Sequence, residues 1–161
     1  SRLIDLKKLG GFHFNDSKFG DDDLDTGSIN PYELFLIFNE MVSAFDQKKI
    51  SNISYMIDQS HNVTDPIESL IQSSNEIISA YIKSLLVDQK MLTNLQKGND
   101  IIGANILLKQ AFNIDVSALI KKTRYENNNA IEPIHTYREL NYKKEKSKTR
   151  KQNKKNEPGI V

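Results

Sequence analysis

Three histidines, His13, His61 and His135, stand about 50 and 75 residues apart, and none sits in an HExxH pattern or beside clustered carboxylates. A zinc site or a general base read from local spacing needs neighbours that share one face of an element, and that spacing is absent here. The chain has no Cys, which excludes disulfides, thiol nucleophiles and Cys-ligated metal clusters. Acidic residues are denser: Asp16, Asp21, Asp22, Asp23 and Asp25 fall within ten positions, and Asp21, Asp23 and Asp25 alternate like the first ligands of a calcium loop. Such a loop wants glycine at its sixth position and glutamate at its twelfth. Counted from Asp21 these are Thr26 and Tyr32, with Gly27 and Glu33 each one place late. No GxGxxG, Walker or GxSxG pattern occurs. The residues therefore predict no catalytic group, no cofactor, no metal and no small-molecule substrate: the chain reads as a protein that is not an enzyme.

One catalytic motif has a partial match. Leu24-Asp25-Thr26-Gly27-Ser28 resembles the Asp-Thr-Gly signature of aspartic proteases, and Ile101-Ile102-Gly103-Ala104-Asn105 is similar to the Ile-Ile-Gly segment of their retroviral members. The resemblance implies a nearly all-β fold and a second carboxylate supplied by a dimer, sharing a proton with Asp25. The surroundings read otherwise. Between Ser28 and Lys97 there is no glycine for a flap, and acidic Gly20-Asp21-Asp22-Asp23 stands where an apolar strand should enter. An Asp-rich turn ahead of a helix is the expectation for this segment.

The net charge of +1 conceals a separation of sign. Lys143, Lys144, Lys146, Lys148, Arg150, Lys151, Lys154 and Lys155 face only Glu145 and Glu157, which makes residues 143–161 a basic tail and leaves residues 1–142 net acidic. Such a ladder of cations fits salt-sensitive, sequence-independent contact with phosphates, so these eight residues are the nucleic-acid-binding candidates, an acidic protein surface being the other partner.

The elements that would position these groups are mostly helical. Asn30-Pro31-Tyr32-Glu33 and Asp65-Pro66-Ile67-Glu68 each combine a capping side chain, a proline suited to the first turn and a glutamate able to reach back. Apolar spacing predicts helices over 31–46, 48–59, 66–96, 100–112 and 116–126, with a short one within 133–142. Lys97-Gly98-Asn99 supplies a stop, with the glycine expected in the left-handed cap. The fold class expected is all-α: a bundle of about five helices with one long helix of about 30 residues. An acidic arm over 1–29 precedes the helical domain 30–126, and a linker over 127–142 leads into the tail. The length and mixed seam of the long helix make Tyr81, Leu85, Leu92 and Leu95 the candidate partner-binding residues, for other protein subunits in a homo- or hetero-oligomer.

The longest apolar run, Leu34 to Phe38, is far short of a membrane span, and no apolar leader precedes a small-residue cleavage site. The chain reads as soluble, with no membrane partner, and as cytoplasmic or part of a virion. Together these features predict a non-catalytic structural or adaptor subunit of a larger assembly, viral or phage in character, whose tail touches nucleic acid. The alternative is a sequence-tolerant DNA- or RNA-binding regulator.

Overall fold

A computed structural model describes residues 2–20, 22–50, 52–59 and 65–140. Among them the chain forms α1 (Arg2–Asp5), β1 (Gly11–Phe14), α2 (Pro31–Asp46), β2 (Ser54–Ile57), α3 (Pro66–Leu85), α4 (Gln89–Lys97), α5 (Ile101–Phe112), α6 (Ser117–Glu126) and α7 (Pro133–Glu139). It divides into two units, Ser1–Ile120 and Lys121–Val161. No helix of the described residues is long and apolar enough to cross a membrane.

The molecule is mostly helical, but the all-α expectation needs correction: β1 and β2 pair in parallel, Gly11 opposite Ser54 and Phe14 opposite Ile57. A parallel pair requires a crossover, which α2 supplies, so the first half of the chain is a strand-helix-strand-helix unit. At Gly11 a Cβ would lie 2.8 Å from the Ser54 carbonyl oxygen, so a larger residue there would force the strands apart.

The helix expected over 48–59 is replaced by β2. Lys48 and Asn52 both take left-handed backbone conformations, which interrupt a helix, and the Ile53-Ser54-Tyr55-Met56-Ile57 run is rich in strand-forming side chains. The helix expected over 66–96 is two helices. The Asp88 carboxylate accepts from the Met91 amide and so starts α4. Val87, at the corner between the two helices, is buried in the core. At the end of α4 the left-handed residue is Asn99, not Gly98.

The core is built on α2. Phe35 is wholly buried, and Leu34, Phe38, Met41 and Ala44 join it with Phe14, Ile50, Ala80, Val87, Leu92 and Ala111. Each of the larger side chains contributes roughly 1.5–3 kcal/mol on leaving water. The face of α3 with buried residues is lined by small side chains, Ser69, Ser73, Ala80 and Ser84, spaced four to seven residues apart. Small residues at such spacing let helix backbones approach closely. Tyr32 and Phe35 close on Phe112 of α5 with ring centroids 5.1 and 5.6 Å away.

Candidate active site

Strand alternation sorts β1 into two faces. Phe12 and Phe14 face the core, Phe14 stacking on Phe38 with centroids 5.4 Å apart. His13 therefore points the other way. Its ladder partner is Met56, and Asp58, two residues further along, shares that face. The Asp58 amide donates to the Phe14 carbonyl, which extends the pairing past Ile57. The result is a diagonal contact of 3.1 Å between His13 Nδ1 and Asp58 Oδ2, at the C-terminal ends of two parallel strands. In open parallel sheets ligands bind at these ends.

The loop after β1 returns to the same place. Asp16 is nearly buried, and its Oδ2 accepts from the Ile29 and Asn30 amides at 2.8 Å each while Oδ1 accepts from the Ser17 amide at 3.0 Å. Asp16 and Leu24 also exchange both backbone hydrogen bonds. The loop is thus cinched at its neck. Asp23 accepts at 2.6 Å from Nδ2 of Asn15, two residues beyond His13. A cavity of about 390 Å³ opens between this loop and α2; His13, Asn15, Ser17, Thr26, Asn30 and Glu33 are among the residues that line it, over a wall of Phe14, Leu34 and Ile37, while Asp58 stands outside it.

The capping expectation splits in two. Asp65 accepts from the amides of Ile67 and Glu68, as its pattern implies. The Asn30 side chain does not cap α2; its Nδ2 donates to Asp16, whose carboxylate takes over the start of that helix.

Among the described residues the acidic run spreads over separate partners. Asp22 accepts from the Lys18 and Phe19 amides, and Asp25 accepts from Gln59 Nε2 and from the Ser69 hydroxyl. Asp21 lies outside the described residues. The protease resemblance does not survive either, since Asp25 sits in a turn ahead of a helix and is held by side chains of this same chain. Gly27 carries a φ of +77° there, and a Cβ would meet that of Glu76 at 2.8 Å.

Among the described residues no three or more His, Asp or Glu side chains are placed to hold a metal ion. His13 and Asp58 are nevertheless two donors of the kind a divalent cation accepts. A separation near 3 Å is that of adjacent ligands on an ion bound at about 2.1 Å. His135 belongs elsewhere, 3.5 Å from Glu139 on α7, and His61 is outside the described residues.

Of the expected partner-binding residues, Tyr81 and Leu85 lie on α3, partly exposed, Tyr81 edge-on to Phe38. Leu92 and Leu95 lie on α4, with Leu92 in the core and Leu95 half-buried beside Gly103. The break at Leu86-Val87-Asp88 separates the two pairs. Lys143, Lys144, Lys146, Lys148, Arg150, Lys151, Lys154 and Lys155 lie outside the described residues.

Sequence reasoning passed over the pairing of His13 with Asp58. The signal was a histidine between two phenylalanines and, one crossover later, an apolar run ending in Asp, each followed by turn residues.

No family model matches the chain. Over 146 residues, 89% of the chain, it is 53% identical to a protein of Rhizobium meliloti named "Probable sugar isomerase". Over 144 residues it is 54% identical to a protein of Mesorhizobium japonicum with the same designation. The chain spans 34% of the length of each. These relatives are named as enzymes, which overturns the expectations of a chain that is not an enzyme, of a structural or adaptor subunit, of a viral character and of a nucleic-acid-binding regulator. Charge patterning points there because a run of cations in a sequence looks alike on proteins of unrelated function.

Proposed function

We propose that this chain supplies part of the active site of a sugar isomerase, with His13 and Asp58 as its reactive polar pair. The observation that carries the reading is the 3.1 Å contact of these two side chains at the strand ends, in a chain 53% identical over 146 residues to a protein named as such an enzyme.

Interconverting an aldose and a ketose moves one hydrogen between neighbouring carbons and one proton between their oxygens. The C1 carbonyl becomes a hydroxyl as the C2 hydroxyl becomes a carbonyl, so no external oxidant is needed. The protein must polarise the carbonyl and carry the proton on oxygen. An imidazole whose Nδ1–H is donated to a carboxylate keeps Nε2 free to accept that proton. The same two donors fit a divalent cation that would polarise both oxygens. Either role suits their place on the exposed face of the sheet, with further polar groups coming from beyond the matched third.

The test places this chain in the Rhizobium meliloti relative in exchange for the matching 146 residues, and measures aldose–ketose conversion. We expect His13→Asn and Asp58→Asn each to lower kcat/KM by at least about 100-fold with the fold intact by circular dichroism. Activity lost on chelation and restored by a divalent cation assigns the pair to metal binding; activity indifferent to chelation assigns it to proton transfer. Full activity in both variants sinks the proposal.

A further inference from the structure

Gln59 follows Asp58 directly, and both ends of its carboxamide are engaged. Oε1 accepts from the Ser73 hydroxyl at 2.6 Å and from the Thr26 amide at 3.4 Å. Nε2 donates to Ser69 Oγ at 2.6 Å and to Asp25 Oδ1 at 3.1 Å. Thr26, Ser69 and Ser73 are almost completely buried. One side chain therefore ties three segments together: the loop that follows β1, the end of β2, and the first two turns of α3.

We propose that Gln59 is a positioning residue for the reaction, holding the backbone beyond β2 so that the Asp58 carboxylate meets His13. It acts through Asp58 and touches no substrate. The physical ground is the contrast between the two neighbours. Asp58 is exposed, and among the described residues its carboxylate has one hydrogen-bonding or ion-pairing side chain, that of His13. An exposed carboxylate on a loop sweeps many rotamers, and the next residue, anchored in four directions, limits where its Cα can be. The carboxamide is the fitting group because it faces an acceptor, Asp25, on one side and a donor, the Thr26 amide, on the other. Glutamate has the shape but no donors, and would set two carboxylates against each other.

This rests on the isomerase reading, so two readouts are needed, one of them independent of activity. In the chimaeric enzyme, Gln59→Glu is expected to lower kcat about 10- to 100-fold with KM changed less than about threefold, the range usual for a residue that orients a reacting group. Adding Asp25→Asn is expected to return most of the loss, since amide and carboxylate have then changed places and the N–H donor comes from position 25. In the 161-residue chain itself, the ¹⁵N signals of the His13 imidazole report whether Nδ1 is engaged by Asp58. They are expected to move toward those of Asp58→Asn in the single variant and back in the double one. Should Gln59→Glu fail to fold, Ser73→Ala, which removes one bond to Oε1, is read in the same two ways. Wild-type imidazole signals in a folded variant overturn the proposal whatever the activity does. Shifted signals with unchanged kcat leave Gln59 positioning Asp58 but sink the pair's part in catalysis.

Discussion

At the scale of single residues, two buried polar groups at the neck of the β1–α2 loop have opposite standing. Asp16 satisfies the backbone of Ser17, Ile29 and Asn30, whereas the Thr26 hydroxyl is buried with no hydrogen-bond partner among the described residues. Removing a satisfied acceptor strands its donors, while removing an unsatisfied hydroxyl strands nothing. Asp16→Ala should therefore destabilise the chain by about 1–3 kcal/mol, and Thr26→Val, of nearly the same shape, should be neutral or stabilising. Urea denaturation of the two variants checks both, and equal losses would contradict the assignment. The backbone amide of Thr26 donates to Ser73 and is untouched by the change. The same distinction explains why Asp25, although set in an Asp-Thr-Gly triplet, is structural: its carboxylate is already used by Gln59 and Ser69.

At the scale of elements, helices and strands differed in how plainly they could be read. The bounds of α2 were legible to the residue, because Pro31 opens it and the apolar stripe is continuous to Phe45. The division of α3 from α4 was not, since Asp88 looks like one polar place in a seam until its carboxylate is seen on the Met91 amide. Asp88→Ala should cost about 1 kcal/mol, the usual worth of such a cap. It should show as a lower urea midpoint with an unchanged slope; a midpoint equal to wild type would mean that Val87 alone turns the corner. β2 reads as a helix in the sequence because Ile50, Ile53 and Ile57 are spaced three and four apart, a pattern blind to the left-handed residues at Lys48 and Asn52. β1 is only four residues long, too short for alternation to stand out in the sequence.

At the scale of the whole molecule, the two units answer to different forces. In Ser1–Ile120 apolar burial around Phe35 dominates, whereas in Lys121–Val161 an exposed ion pair joins Lys121 of α6 to Glu132 at 2.6 Å. The hydrogen bond from Lys121, followed by its charge, holds the Glu132 carboxyl below the ordinary glutamate range. A carboxyl lowered by folding adds stability that is present above its unfolded pKa and is lost as the pH falls through the folded one. Glu132→Gln should therefore separate from wild type in thermal midpoint at neutral pH, modestly because the pair is exposed, and converge with it in acid. A gap that persists in acid would assign the effect to packing. What the sequence by itself determined is local: the start of α2 at Pro31, the Asp65 cap, the limits of α5 near Asp100 and Phe112, and the mostly helical character. Each rests on residues within a turn or two of one another, since a helix makes its hydrogen bonds to itself. Tertiary structure alone decided the strands and the site. The partner of β1 is a crossover away, and His13 meets Asp58 across 45 residues only because parallel pairing sets them on one face. No spacing rule along the chain encodes such a meeting: the register is set by which side chains the core buries.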